Sequence, residues 1–164
     1  MTEQKIIIRK AIEADYPAVN HLYCLSYGLY HQNIPGSYKE IGQQVISRGD
    51  FLNILEDEEA FMIVAEVEGK IVGHLYAMID DDEDGKITKG YHRIDVAEIS
   101  IEPEYARKGI GTKLMENVEN WAKEKNIVDL STLVYDFNKE AIDFYKSNGY
   151  KPYSIRMEKK ITKE

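Results

Sequence analysis

This sequence has little cysteine, little proline and no long apolar run. One cysteine, Cys24, stands among 164 residues. It excludes an internal disulfide and a zinc site built on clustered cysteines. It also fits a reducing compartment, so we expect a cytoplasmic protein. The longest apolar stretches fall far short of a membrane span. The start, Met1 to Lys5, runs into only three isoleucines before Arg9, which does not fit a signal peptide. Basic residues are outnumbered, 21 Lys and Arg against 29 Asp and Glu, a net charge of −8. Nucleic acid is a poor partner for such a chain, because that affinity rests largely on excess Lys and Arg. An acidic surface would instead favour a cationic substrate. His21, His31, His74 and His92 are scattered without ligand spacing, so no metal site is expected. Asp80 to Asp84 lacks the spacing of a calcium loop. It reads either as a solvated loop or as a rim that attracts a polyamine, an aminoglycoside or a basic peptide.

A chain of this length is read as one domain, residues 1–164, able to bury a core without covalent staples. Lys5 to Ile12 is β-branched and reads as a strand. Asp15 is expected to cap a helical stretch with Val19, Leu22, Tyr23 and Ser26 on one face and Leu29 extending it. Tyr38 to Ile46 and Phe51 to Leu55 read as a helix and a shorter one, separated by Gly49-Asp50. Phe61 to Val67 and Ile71 to Ile79 form a hairpin about Glu68-Gly69. A loop follows over Asp80 to Gly90. Arg93 to Ile101 is the fourth strand, with a break in alternation near Val96. Ile110, Leu114, Val118 and Trp121 give the next helix one apolar face. Val128 to Tyr135 reads as a buried strand, Asn138 to Ser147 as a helix stopped by Asn148-Gly149, and Tyr150 to Ile161 as a last strand. The order predicts a mixed α/β or α+β sheet and argues against a doubly wound parallel one.

The sharpest local feature is Arg107-Lys108-Gly109-Ile110-Gly111-Thr112, between a strand and a strong helix. Glycines there admit a close ligand, and the free amides of the first helical turn face it with the positive end of the helix dipole behind them. Phosphate or pyrophosphate suits such a place, with Arg107, Lys108 and Thr112 as further donors. The bland alternative is a turn that merely needs two glycines. The third glycine of a dinucleotide fingerprint and the Gly-Lys-Ser/Thr of a nucleoside-triphosphate loop are both missing, which disfavours a nicotinamide oxidoreductase.

Further along stands Asn138-x-x-Ala141-x-x-Phe144-Tyr145-x-x-x-Gly149-Tyr150. With Ile99, Ile101, Pro103, Gly109 and Gly111 in order before it, the chain resembles the GNAT superfamily, the Gcn5-related N-acetyltransferases. The opening Ile8-Arg9-Lys10-Ala11 with Asp15, and Gly69-Lys70-Ile71-Val72-Gly73, carry the likeness over nearly the whole chain. One departure is Ala106, where the family turn usually begins with Arg or Gln. Whether Arg107 replaces it is open.

The resemblance implies the acyl-CoA N-acyltransferase fold: a central, mostly antiparallel sheet splayed between strands 4 and 5 and flanked by helices. It implies an acetyl group moved from acetyl-CoA to a primary amine of a small molecule or peptide, by direct attack and without a covalent enzyme intermediate. Homodimers are common among such proteins. Coenzyme A would lie on Ile99, Ser100 and Ile101, on Arg107 to Thr112, and on Asn138, Ala141 and Phe144. Asn138 could equally serve only as a helix cap, and Phe144 only as core. Glu98 is the candidate base, its alternative being an exposed carboxylate paired across the sheet with Lys or Arg. Tyr145 is the candidate acid for the leaving thiolate, its alternative a packed aromatic. Tyr27, Tyr30 and His31 stand where the family builds a wall of the acceptor site. A different class remains as an alternative: a coenzyme A-binding or acyl-CoA-sensing protein with little turnover.

Overall fold

The computed structural model describes residues 5–161. The chain begins with β1 (Ile6–Lys10), α1 (Tyr16–Asn33) and α2 (Arg48–Glu56). Three long strands follow: β2 (Ala60–Val67), β3 (Lys70–Asp82) and β4 (Tyr91–Ile101). The chain continues through α3 (Ile110–Glu124), a short β5 (Leu130–Ser131) and α4 (Lys139–Ser147). One compact unit ends at Leu133 and a second begins at Val134.

The sheet runs in the order β1-β2-β3-β4-β5, antiparallel except for the parallel β4–β5 pair. Glu68 and Gly69 both take positive φ, 51° and 80°, as a two-residue hairpin turn requires. Asp80, Asp81 and Asp82 are not loop, as the sequence suggests, but the end of β3, opposite Arg93, His92 and Tyr91. Asp80 binds the Arg93 guanidinium through 2.7 and 2.9 Å bonds, and Asp81 pairs with His92. Those partners offset the charge repulsion that makes an acidic run look like loop.

Each face of the sheet is covered by helix. Val19 and Tyr23 of α1 and Phe51 of α2 pack with Met62 and Val64. On the other face, a Cβ on Gly73 would meet Ile110 of α3 at 3.4 Å, so that glycine lets the helix close down on the sheet. Ile110, Leu114, Met115 and Val118 are fully buried there.

Four further expectations are corrected. Residues 38–46 form no helix. Asn20 ties them as an irregular segment, its amide donating to Gln43 O at 2.7 Å and accepting from Val45 N and Ile46 N. Gly49-Asp50 does not separate a pair of helices, because Ser47 caps α2 by accepting from Asp50 N at 3.0 Å and draws both residues into its first turn. The buried strand expected over Val128 to Tyr135 shrinks to the two residues of β5, with Val128 and Leu133 largely exposed. Tyr150 to Ile161, expected as a last strand, carries no regular structure and is exposed from Lys151 on. Val128 and Leu130, and later Tyr153, Ile155 and Met157, alternate as in a strand, but a strand also needs a pairing partner along its length.

Candidate functional site

The β3–β4 ladder contains a bulge, and the bulge builds the site. Val96 stands opposite Ala77, yet Glu98 stands opposite Tyr76, so Ala97 is the extra residue. Adjacent residues of β3 point to opposite faces, and so therefore do Val96 and Glu98. Ile94 and Val96 join the face under α3. Glu98 and Ser100 turn to the face under α1. An unbroken alternation would have put all four together.

On that face Glu98 is 6% exposed. Its Oε1 accepts a 2.6 Å hydrogen bond from Ser26 Oγ of α1. Burial raises its pKa from 4.5 to about 7, and the Ser26 bond opposes part of the rise by favouring the charged form. The alternative of an exposed carboxylate paired with Lys or Arg is thereby overturned. Tyr23 of α1 is buried beside it. Its hydroxyl is pushed well above the ordinary phenol value, first by burial and then by the fields of Glu98, Tyr27 and Tyr76. His74, opposite Ser100, lies fully buried with its ring 4.7 Å from that of Tyr23. Neither of its ring nitrogens has a hydrogen-bond partner. Burial holds it neutral, with a pKa near 3.

The other flank of β4 is open. Its pairing with β5 covers only Ile94 with Leu130 and Asp95 with Ser131. Thr132 Oγ1 then donates to Val96 O at 2.9 Å. From Ala97 to Ile101 no strand pairs with β4 on this side among the described residues. Those backbone groups form a free sheet edge, and an extended molecule can add to such an edge as a strand would. Ser100 offers only its backbone, because its hydroxyl donates to Leu22 O at 3.0 Å.

The chain leaves β4 through Pro103–Tyr105 and turns into α3. Arg107 and Gly109 both take left-handed φ, 60° and 79°. A left-handed non-glycine costs about 1–2 kcal/mol, so Arg107 holds a strained turn. Arg107, Lys108, Gly109 and Thr112 are exposed, whereas Ile110 and Gly111 are buried and present only their amides. Nothing lies within 4 Å of a Cβ built on Gly109, so the turn is open on the side where that side chain would stand. Lys108 Nζ rests 4.7 Å from the Tyr105 ring centre.

On α1, Tyr27 and Tyr30 are half-buried, their ring centres 5.6 Å apart. His31 Nδ1–H donates to Tyr38 O at 2.9 Å, so this histidine braces the following segment. In the second unit Asn138 caps α4, accepting from Ala141 N at 3.1 Å. Tyr145 is buried there, its ring 5.3 Å from that of Phe144 and 5.2 Å from that of Tyr150. Sequence reasoning misses two residues of the site: Ser26, which reads as one more position on a helix face, and Tyr38, whose spacing suggests a helix. Both roles depend on contacts between distant segments, and no local pattern carries them. Among the described residues no group of three His, Cys, Asp or Glu side chains gathers as metal ligands, and no helix is long and apolar enough to cross a membrane.

Comparison with known proteins shows the family and the fold. The N-alpha-acetyltransferase of Sulfurisphaera tokodaii is 30% identical over 112 residues, 64% of this chain and 65% of that protein. The chain spans less than two thirds of the length of the curated relatives it matches. In fold it is similar to a tetramutant of the BH1408 protein of Bacillus halodurans, with a TM-score of 0.88, 19% identity, and 94% and 99% of the two chains covered. It is also similar to the PaiA N-acetyltransferase of Thermoplasma acidophilum in complex with coenzyme A, with a TM-score of 0.75, 20% identity and 93% of each chain covered. The family model for the Acetyltransferase (GNAT) family matches residues 18–150, and the chain belongs to that family.

Proposed function

We propose that this protein is an N-acetyltransferase that uses acetyl-CoA and acts on a primary amine, with Glu98 as its general base. The observation that carries the reading is Glu98 itself. It is a buried carboxyl that a bulge turns toward α1, on the strand whose other edge is open. Acetyl-CoA supplies an activated thioester. Three features of the chain fit that molecule. The helix-start amides of α3, free of intrahelical partners, suit a pyrophosphate, with Lys108 and Arg107 exposed beside them. The unpaired edge of Ala97 to Ile101 suits an extended amide-bearing arm. A relative in fold is known with coenzyme A bound.

An alkylamine is protonated at neutral pH, with an ordinary pKa near 10.4, and only its neutral form attacks. An ordinary carboxylate, near 4.5, would face a gap of about 6 units. Glu98 at about 7 narrows that gap to about 3.5, an advantage of roughly 3 kcal/mol in the proton transfer. Glu98 takes the ammonium proton. The neutral amine attacks the thioester carbonyl, and the C–N bond forms as the C–S bond breaks. The second proton on nitrogen is lost as the thiolate leaves and is protonated, so that amide, thiol and protonated Glu98 result. Tyr145 is the candidate donor to that thiolate, on its match to the family pattern, with Asn138, Ala141 and Phe144 as candidate coenzyme contacts.

Thermal unfolding with acetyl-CoA, coenzyme A and NAD tests the coenzyme half. At about 100 times the dissociation constant, binding adds roughly 2.7 kcal/mol, a shift of about 5–10 °C for a chain of this size. A shift with both coenzyme A forms and none with NAD is the expected result. No shift with either coenzyme A form refutes the proposal. Coenzyme binding without acetyl transfer to any amine, unchanged in Glu98→Gln, would leave a sensor in place of an enzyme.

A further inference from the structure

The wall beside Glu98 is made of rings and carries no charge. Tyr23, Ser26, Tyr27 and Tyr30 fall at i, i+3, i+4 and i+7 of α1 and share one face. Ser26 donates to Glu98, so this face lies beside the base. Tyr23 is its inner end, against His74. Farther along the helix three half-buried rings meet. Tyr27 lies 5.6 Å from Tyr30 and 5.9 Å from Tyr38, and Tyr30 lies 5.1 Å from Tyr38. Tyr27 stands nearly edge-on to the other two, at 69° and 74°. The brace from His31 to the Tyr38 carbonyl keeps the third ring in place.

All 18 residues of α1 lack Asp, Glu, Lys and Arg. An acceptor with several positive charges needs carboxylates for those that do not react. The acidic end of β3 is badly placed to supply them. Asp80 is engaged by Arg93 and Asp81 by His92. Asp80 also lies four residues beyond Tyr76, the residue facing Glu98, which is about 13 Å along a strand. The wall offers aromatic surface, which favours a further ring in edge-on or offset contact.

We propose that the acceptor is a primary amine joined to an aromatic ring by a short alkyl linker, with its ring on the Tyr27–Tyr30–Tyr38 cluster and its amine at Glu98. This deepens the acetyltransferase reading and rests on it. Ser26 and Tyr30 are one helical turn apart, about 6 Å, a span that a two- or three-carbon linker covers.

The test uses the full chain with acetyl-CoA, following thiol release with 2-phenylethylamine, pentylamine, 1,5-diaminopentane and kanamycin. The expected kcat/KM is highest for 2-phenylethylamine, by roughly tenfold over pentylamine. Tyr30→Phe keeps that margin. Tyr30→Ser closes most of it through KM, with an unchanged coenzyme A-induced thermal shift showing that the variant is folded. Preference for the diamine or kanamycin overturns the proposal, as does equal use of all four or a margin that survives Tyr30→Ser. If coenzyme A binds and none of the four amines is acetylated, the acceptor proposal is refuted and the coenzyme site stands. If coenzyme A itself fails to bind, the acetyltransferase reading falls first.

Discussion

Replacing Glu98 by Gln should stabilise this protein in alkaline solution while removing the proposed acetyl transfer. The carboxyl titrates near 4.5 when free and near 7 in the fold, because burial penalises its charged form. Between those values the native state keeps a proton that the unfolded chain has released. Native stability therefore falls as pH rises through the window, and the loss is complete above 7. A difference of about 2.5 units amounts to about 3 kcal/mol. Below 4.5 both states hold the proton and the effect vanishes. Glutamine has the same shape and no charge at any pH. The variant should match the parent near pH 4 and exceed it by up to about 3 kcal/mol at pH 8. Urea unfolding at the two pH values measures this directly, and thermal scans at pH 8 should differ by roughly 6–12 °C. If Glu98 is the general base proposed above, kcat/KM should fall about 10²–10⁴-fold in the same preparation. A variant less stable than the parent at pH 8, or shifted equally at both pH values, would refute the reasoning, because Glu98 would then not be a carboxyl strained by burial.

Three further outcomes follow from particular contacts. Ser26→Ala removes the hydrogen bond that favours the charged form of Glu98, so the rising limb of the pH–rate profile should move above 7; an unmoved limb would separate Glu98 from the rate. His74 is held near 3, so the unfolded chain binds a proton below 6.5 that the native state refuses, and stability is lost as pH falls through that window. His74→Phe should remove that loss, gaining about 3 kcal/mol on the parent between pH 7 and pH 4 in paired urea melts. Gly109→Ala forces a side chain into φ 79°, though its Cβ meets nothing within 4 Å. It should cost about 1–2 kcal/mol of stability from the backbone alone, and calorimetry should show weaker coenzyme A binding.

How much of the site is legible in the sequence depends on the range of the forces that build it. The α3 turn is legible because its causes are local: Gly109 takes a left-handed φ, and the amides that follow are free by the nature of a helix start. The cap at Asn138 and the stop at Gly149 are legible for the same reason. Helix α3 announces itself by period, since one apolar face in sequence is one buried face in space. The GNAT likeness adds order to these pieces, and the five-strand mixed sheet bears out the architecture it implies.

Other features belong to the tertiary structure alone. Residues 38–46 carry apolar spacing that suits a helix, but Asn20, a distant residue on α1, takes their backbone groups and holds them irregular. The apolar alternation of residues 128–135 and 150–161 cannot show that most of their length lacks a strand partner, because pairing is a property of two segments. The surroundings of Glu98 show the limit most clearly. In sequence it is one polar position on a strand that alternates imperfectly. Its burial, its raised pKa and its place beside Ser26 all follow from a single unpaired residue, Ala97, and from the helix that packs on that side. A strand's period of two assigns residues to faces only while the ladder stays in register, and the register is decided by the neighbouring strand.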